Sequence, residues 1–192
     1  MSWGRVFRRK EFVAFLRAVD RRLHKPVRLD LIGQGVAVLS FGAKSGTADL
    51  DVTGDLTPIA AILDQARAET GLPIPVSTVG VFDAPHLYED RVRAARIPGL
   101  KRLQVVVPEK HDWALIKIVR LLDKDIEDIA EVAEKDGFDR DVFLERFLNE
   151  MTDVIGRKAD LVLNFLAMME HLFGEKESER MKRVIREDPR WS

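Results

Sequence analysis

The sequence of 192 residues contains no cysteine. Disulfides, zinc sites built on thiolates and cysteine nucleophiles are therefore excluded, and the composition is compatible with a reducing compartment. No apolar run approaches the length of a membrane span, and the basic N-terminal segment is not followed by the apolar stretch of a secretory signal. We therefore expect a cytoplasmic protein that does not associate with a membrane.

The chain also lacks a strong net charge. Its 31 Lys and Arg residues oppose 32 Asp and Glu residues, and the formal net charge of −1 argues against a protein that binds nucleic acid through its charge as a whole. The distribution is uneven, because residues 1–30 hold nine cations against three acids. Such a basic arm can bind RNA or an acidic partner, but a solvated helix face is the more frequent explanation.

Hydrophobic periodicity divides the chain into a mixed first part and a helical second part. Short strands are predicted at 27–32, 47–53, 76–82 and 100–107. Helices are predicted at 7–23, 36–41, 57–70, 109–122, 125–135, 140–155, 158–173 and 175–185. We therefore predict an α+β fold, in which a small mixed β-sheet with flanking helices covers residues 1–108. A C-terminal helical bundle over residues 109–192 is expected to pack on this core.

Two carboxylates lie two positions apart in the predicted strand at 47–53. Because side chains two apart on a strand share a face, Asp49 and Asp51 are expected to project together while Leu50 and Val52 point into the core. Adjacent carboxylates repel each other unless a cation neutralises them, and hard divalent cations prefer oxygen ligands. The pair alone is weak evidence for a metal site, since a solvated strand face gives the same pattern.

A glycine turn precedes this strand. Gly33 and Gly35 flank Gln34, and such turns present backbone N–H groups that can bind phosphate. A tight turn by itself also favours glycine, which adopts positive φ without strain. Metal ligands that follow a phosphate-binding turn indicate a site whose chemistry involves a metal ion and a phosphate.

The order of these motifs resembles the opening signature of the nucleotidyltransferase superfamily, which has a polymerase-β-like fold. The segments that carry the resemblance are Gly33-Gln-Gly35 and Thr47-Ala-Asp-Leu-Asp-Val52. A further segment, 116–129, is similar to the Lys…Asp-x-x-Asp helix pair of bacterial nucleotidyltransferase-like families. These families include the abortive-infection type IV toxins and a related uncharacterised family.

The resemblance implies an enzyme that transfers a nucleotide from an NTP to an RNA, tRNA or protein acceptor. Asp49 and Asp51 would bind Mg²⁺ or Mn²⁺ and would be catalytic together with Lys117 and Asp128, the lysine neutralising phosphate charge. The residues expected to contact the nucleotide are Gly33, Gln34, Gly35, Lys44, Ser45 and Thr47. The implied setting is a toxin–antitoxin or phage-defence system, with an antitoxin protein as a partner.

Two departures from the signature bear on catalysis. Gln34 stands where a second glycine or serine is usual, and the predicted strand at 103–107 carries no third carboxylate, a role that Asp125 or Asp128 would have to take. The alternative is therefore a catalytically inactive module of the same fold that binds a nucleotide or a protein. Lys117 also fits a surface lysine, and Asp125 with Asp128 also fits a helix cap.

The histidines and tryptophans add no further motif. The four histidines lack the spacing of metal ligands. The three tryptophans, Trp3, Trp113 and Trp191, are expected to pack in the interior or lie near the termini rather than to stack on nucleic-acid bases.

Overall fold

The computed structural model describes residues 5–191, so that Trp3 lies outside the described part. The chain divides into two compact units. The first comprises the residues up to Val81 together with Val92–Pro108, and the second comprises Phe82–Arg91 and the residues from Glu109 onward. The segment 82–91 thus clusters with the helical part of the chain, although the sequence pattern grouped it with the sheet.

The first unit is built on a five-stranded sheet with the order β3-β2-β1-β5-β4. Its strands are β1 (Val27–Ile32), β2 (Leu50–Thr53), β3 (Val76–Thr78), β4 (Arg93–Ala94) and β5 (Leu103–Val107). β1 is antiparallel to β2 and parallel to β5. β3 is parallel to β2, and β4 is antiparallel to β5. The sheet is therefore mixed, as the sequence predicted.

Three helices accompany the sheet: α1 (Arg9–Arg22), α2 (Gln34–Ser40) and α3 (Ala60–Thr70). α1 packs against α3 and β5. It buries Phe12, Phe15, Leu16 and Val19, which recur at helical spacing and form one apolar face. Fully burying one such side chain contributes about 1.5–3 kcal/mol, so this face supplies much of what holds α1 in place.

The second unit is helical. It consists of α4 (Lys110–Ile118), α5 (Asp123–Asp136), α6 (Arg140–Glu150), α7 (Lys158–Phe173) and α8 (Glu175–Glu187), with short 3₁₀ turns at Tyr88–Arg91 and Pro189–Trp191. Phe147 stacks on Phe165, with ring centroids 3.9 Å apart, and on Trp191, at 4.3 Å. Trp113 is also buried. The predicted α+β class with a C-terminal helical region is thus confirmed.

Two element boundaries differ from the prediction near the candidate site. The strand predicted to begin at Thr47 begins at Leu50, because the backbone N–H and C=O groups of Thr47 bond to Phe7 at 3.1 and 2.8 Å instead of joining the sheet. The helix predicted to begin at Val36 already begins at Gln34. Within residues 5–191, no helix has both the length and the apolar character needed to cross a membrane.

One buried carboxylate connects α1 to the start of β5. Oδ1 of Asp20 accepts the backbone N–H groups of Lys101, Arg102 and Leu103 at 2.9, 2.6 and 2.7 Å. Burial by itself raises the pKa of Asp20, but the three N–H donors outweigh it and hold the pKa below the ordinary value. The carboxylate therefore stays ionised and fixes the end of α1 to a segment eighty residues away.

Replacing Asp20 should destabilise the first unit in a graded way. Asp20→Ala leaves three N–H groups without their acceptor and should cost about 3 kcal/mol or more in unfolding free energy. Asp20→Asn keeps one oxygen and should cost less. Because the folded-state pKa is lowered, the contribution of Asp20 is present above the unfolded value and is lost as pH falls through the folded one. Urea unfolding of the three proteins at pH 7 and pH 3 measures both effects, and equal stability of wild type and Asp20→Ala at pH 7 would contradict them.

Candidate functional site

The pairing of β1 with β2 places a carboxylate beside a glycine. Ile32 is the partner of Asp51 in the antiparallel register, and the next residue, Gly33, turns with φ of +67°. A Cβ added to Gly33 would lie 2.6 Å from Oδ2 of Asp51, which is closer than real Cβ contacts. Glycine is therefore required here both for the backbone conformation and for the approach of the carboxylate.

The second glycine, Gly35, lies in a helix and lets it pack closely on the sheet. Gln34 and Gly35 are the first residues of α2 rather than parts of an open turn. A Cβ on Gly35 would lie 2.8 Å from Cδ2 of Leu50, so this glycine lets α2 pack closely on β2. Of the two glycines, Gly33 makes the turn, and the prediction that Gly35 also contacts a nucleotide stays a prediction.

Asp49 lies one residue before β2, and not within it as predicted. Leu50 and Val52 are fully buried, whereas Asp49 and Asp51 are partly exposed, so burial alternates as the sequence pattern predicted. The Thr47 hydroxyl donates to Oδ1 of Asp49 at 3.2 Å. Because the backbone of Thr47 is held by Phe7, this bond orients the carboxylate of Asp49.

The loop between α2 and β2 contacts the first residue of α2. Nε2 of Gln34 donates to the Ser45 hydroxyl at 3.2 Å, and the side chain of Gln34 is buried. Its Oε1 has no hydrogen-bond partner in the described part of the chain. An unsatisfied buried acceptor of this kind costs about 1–3 kcal/mol, so it marks a position where a bound molecule with a donor would be stabilising. Lys44 and Ser45 are exposed.

Asp30 is an acidic residue near the site that the sequence analysis did not single out. It pairs with Thr53 of β2 and with Val106 of β5, and it lies two residues before Ile32, the partner of Asp51. Asp30 therefore shares a sheet face with Asp51. Nε of Arg28 donates to both of its carboxylate oxygens at 2.9 Å. The alternation of β1 would have revealed this placement once the register with β2 was known.

The number of available carboxylates limits the kind of metal site that the first unit can form. Within residues 5–191, no cluster of three or more histidine, aspartate or glutamate side chains has the arrangement of a metal site. Asp49 and Asp51 supply two carboxylates. Mg²⁺ commonly keeps several waters and takes one or two protein carboxylates together with phosphate oxygens, so two ligands suffice for a metal bound to a nucleotide.

The second unit contains the other predicted site residues. Nζ of Lys117 lies 2.8 Å from Oδ1 of Asp125 and 2.8 Å from Oδ2 of Asp128. It also lies 5.3 Å from the centre of the Trp113 ring. The exposed fractions of Lys117, Asp125 and Asp128 are 5%, 1% and 3%, so the interpretation of Lys117 as a surface lysine is wrong. The structure does bring these three residues together.

The alternative interpretation, that Asp125 is the N-cap residue of α5, is also wrong, because the helix begins two residues earlier. α5 begins at Asp123, so Asp125 is its third residue and accepts the backbone N–H of Leu122 at 3.1 Å. Burial alone raises the pKa of Asp125, but hydrogen bonds from Arg120 and Lys117 lower it below the ordinary value. The pKa of Asp128 is raised, because its burial outweighs the bond from Lys117, which Asp125 shares. Asp128 is therefore the member of the pair that protonates more readily.

A buried ionic network elsewhere in the second unit had no signal in the sequence. Nε and Nη2 of Arg91 donate to the two oxygens of Asp112, both at 2.8 Å, and Asp112 is fully buried. Arg91 also binds Glu150, and Arg146 lies 3.0 Å from Asp112. These bonds hold the segment 82–91 to α4 and α6. The partners lie 21 and 59 residues apart, so no spacing rule connects them.

Three features together define a nucleotidyltransferase-like fold: the mixed sheet, the turn at Gly33 and the acidic pair at β2. The family model described as a nucleotidyltransferase of unknown function (DUF6036) matches residues 11–172, and the chain belongs to this family. Comparison with curated proteins gave no match, and comparison with solved structures gave none.

Removing the charge of Lys117 should destabilise the second unit strongly. Lys117→Met leaves Asp125 and Asp128 buried without their shared cation, which costs about 3–5 kcal/mol for a broken buried pair. The exposed Lys176 provides a control, because Lys176→Met should change the unfolding free energy by no more than about 0.5 kcal/mol. Chemical denaturation followed by circular dichroism compares the two variants. A decrease in unfolding free energy of less than about 1 kcal/mol for Lys117→Met would contradict the conclusion that Lys117 compensates the buried charges of Asp125 and Asp128.

Proposed function

We propose that the protein is a metal-dependent nucleotidyltransferase that moves a nucleotide from an NTP to an RNA or protein acceptor. The single observation that carries the proposal is the approach of the Asp51 carboxylate to the bare Cα of Gly33, at the point where β1 passes into α2. An acidic side chain is thereby held against a turn that has no side chain of its own. Such a place can accept a phosphate together with the cation that both groups share.

In this proposal Asp49 and Asp51 hold Mg²⁺ or Mn²⁺. When bound, the metal would supply Lewis-acid polarisation of the phosphate oxygens. Thr47 orients Asp49 through its hydroxyl. The first N–H groups of α2 have no acceptor within the helix and are suited to phosphate oxygens. The transfer joins an acceptor hydroxyl oxygen to the α-phosphorus of the NTP and releases pyrophosphate.

The loop side chains would bind the rest of the nucleotide. Lys44 is an exposed cation, and Ser45 is bonded to Gln34, whose buried Oε1 lacks a donor. A hydroxyl or amino group of the nucleotide would satisfy that oxygen. In this scheme Gln34 replaces the usual glycine or serine by supplying a hydrogen-bond acceptor.

Lys117 and Asp128 belong to the proposed catalytic set on the strength of the resemblance. Their contacts also support a positioning role, because the ammonium group of Lys117 is already shared between two carboxylates. Loss of the charge tests the catalytic role. Nucleotide transfer by the folded fraction of Lys117→Met protein would count against a catalytic role of the lysine, because methionine cannot neutralise phosphate charge.

The setting we propose is a toxin–antitoxin or phage-defence system in a bacterium, with an antitoxin protein as a partner. Its support is the similarity of segment 116–129 to the toxin families. Separate expression of the wild-type chain and of an Asp49→Asn/Asp51→Asn chain in bacteria, with growth as the readout, tests it. Inhibition of growth by both chains, or by neither, would contradict a toxin that acts through nucleotide transfer.

A second candidate function is an inactive module that binds a nucleotide or a protein. The observation that favours it is that β5 carries no carboxylate, since its residues are Leu103-Gln-Val-Val-Val107. Isothermal titration with each NTP in the presence of Mg²⁺ distinguishes the candidates. Binding without turnover supports the module that binds nucleotides, and absence of binding contradicts the enzyme.

Neutralising the acidic pair should abolish transfer. Asp49→Asn/Asp51→Asn keeps the shape of both side chains but removes the charge that binds the metal, and transfer should fall roughly 1,000-fold or more. The assay incubates the protein with radiolabelled NTPs, Mg²⁺ or Mn²⁺ and total RNA, and also follows labelling of protein. Asp64→Asn, which alters an exposed aspartate of α3, is the control and should retain transfer. Unchanged transfer by the double variant would refute the proposal.

Gly33 offers a sharper test because the chain contains a second glycine of similar φ. Gly33→Ala and Gly71→Ala both place a side chain at a positive φ, +67° and +63°. At Gly71, which is left-handed, the change should cost about 1–2 kcal/mol in stability. At Gly33 the ψ of −158° is confined almost to glycine, and the cost should be larger, about 1–3 kcal/mol. Only the Cβ at residue 33 meets a neighbour, since nothing lies within 4 Å of a Cβ at residue 71. Gly33→Ala should therefore lose metal-dependent NTP binding in calorimetry, whereas Gly71→Ala should retain it. Equal binding by both would contradict the assigned site.

A further inference from the structure

A positively charged surface cavity of about 350 Å³ opens in the first unit, away from the acidic pair. It lies between the last two turns of α1 and the segment that leads into β5. Its lining residues are Arg17, Asp20, Arg21, Gly99, Lys101 and Arg102. Four of the six carry a positive charge, and the carboxylate of the one acid accepts three backbone N–H groups.

The backbone around the cavity is fixed to α1 at three levels. Nη2 of Arg9 donates to the carbonyl oxygen of Arg96 at 3.0 Å, and Nε of Arg17 donates to that of Pro98 at 2.8 Å. Asp20 then holds the N–H groups of residues 101–103. The cations of the two segments are therefore brought side by side by the fold, although the segments lie about eighty residues apart in sequence.

We name the six cations along these two segments the basic strip: Arg9, Arg17, Arg21, Arg96, Lys101 and Arg102. Arg21 pairs with Glu69. Within residues 5–191, the side chains of Arg96, Lys101 and Arg102 form no hydrogen bond and no ion pair. Other exposed arginines are paired with an acid, as the bonds Arg157–Asp160 and Arg190–Asp188 show, whereas Arg183 and Arg186 of α8 are not paired within the described part of the chain. The six cations outnumber the two acids beside them, Asp20 and Glu69, and this excess of positive charge leaves a local positive potential that attracts an anion.

The register of the sheet separates the basic strip from the metal–nucleotide site. Leu103 pairs with Val27 at the beginning of β1, whereas Asp51 pairs with Ile32 at its end. Five residues of strand span about 17 Å, so the phosphates of an NTP at Asp51 do not reach the cavity. An anion bound in the cavity would therefore be a group other than these phosphates.

The length of the strip favours an extended polyanion over a single phosphate group. Twelve residues of α1 separate Arg9 from Arg21, which is about 18 Å along the helix. A nucleic-acid strand advances about 3.4 Å per phosphate in a helical conformation, so the strip matches some five successive phosphates. Contacts with the backbone alone position such a strand without selecting its sequence.

We propose that the basic strip binds the phosphate backbone of RNA and so holds the acceptor strand of the transfer reaction. The assignment of this RNA as acceptor rests on the proposed function, whereas its binding to the strip does not. The acceptor bound there would extend over the 17 Å that separate the strip from Asp51. This inference gives RNA, and not protein, as the acceptor class.

The test measures the salt dependence of RNA binding. A fluorescein-labelled single-stranded RNA of 20 nucleotides is titrated with the full chain at 50–300 mM KCl, and fluorescence anisotropy gives Kd. Each lost phosphate contact lowers the slope of log K against log salt concentration by about 0.7 for a single strand. Lys101→Gln/Arg102→Gln should therefore lower the slope by about 1.4 and weaken binding roughly 10-fold or more at 50 mM KCl.

A charge-matched variant controls for net charge. Lys176→Gln/Arg183→Gln removes two exposed cations of α8 and should leave both slope and affinity unchanged. Neither Lys101 nor Arg102 uses its side chain in a bond, so thermal unfolding of the test variant should match that of wild type. A wild-type chain that does not bind the RNA, or a control variant that loses as much slope as the test variant, would overturn the inference.

The failure of this inference can be told apart from failure of the proposed function. The Asp49→Asn/Asp51→Asn variant should bind the RNA with wild-type affinity but lose transfer. That result supports both the role of the basic strip and the proposed function. Transfer of a nucleotide by a chain that does not bind RNA would overturn the role of the strip and leave the enzyme standing. Tighter binding of DNA than of RNA of the same sequence would overturn the assignment of RNA as acceptor.

Discussion

The antiparallel register between β1 and β2 is the constraint on which the first unit depends. It sets Asp51 opposite Ile32, so that the chain must turn away directly beside a carboxylate. A residue with a Cβ cannot make that turn without colliding with the carboxylate oxygen. The same register turns Leu50 and Val52 into the core. There α2 packs closely on Leu50, because Gly35 has no side chain. One short segment thus contributes to core packing with one face and presents the acidic pair on the other.

The second unit contains charged groups that are buried in its interior. Lys117 with its two aspartates and Arg91 with Asp112 are compensated ion groups with exact hydrogen-bond partners. Taking such charges out of water costs several kcal/mol per ion, and their pairing returns that cost only when the geometry is good. These groups therefore contribute little net stability but strongly disfavour arrangements in which a partner is missing. They specify which helices lie against one another.

Much of the fold follows from local signals. The apolar spacing of α1 and the alternation of Leu50 and Val52 each predict an element and its buried face, and the structure confirms both. The start of β2 was predicted too early because Thr47 bonds to Phe7, a contact across forty residues that leaves no mark on local periodicity. Gly35 illustrates a similar limit, since a glycine that serves packing and one that serves a turn look the same in a sequence.

The candidate site was predictable where its residues are neighbours and not where they are distant. The pair Asp49 and Asp51 is visible as an alternating motif, and Lys117 with Asp128 is visible through resemblance. The basic strip was seen in part as the cationic N-terminal segment. Its other half, at Lys101 and Arg102, is brought there by Asp20, and a bond between residues 83 positions apart has no sequence signature. The same reason hides Asp30, whose proximity to Asp51 exists only once two strands are paired.

The order of strands in the sheet has a consequence for synthesis of the chain. β1 is the central strand, and its two neighbours are made at different times, β2 soon after it and β5 some seventy residues later. At 5–20 residues per second, β1 waits roughly 4–14 s with one edge open. An open edge is a template for pairing with other chains. Arg28 and Asp30 form a charged pair on that strand, and charged side chains disfavour pairing with other chains at an open edge. The pair therefore reduces the tendency of the nascent chain to aggregate before β5 is synthesised.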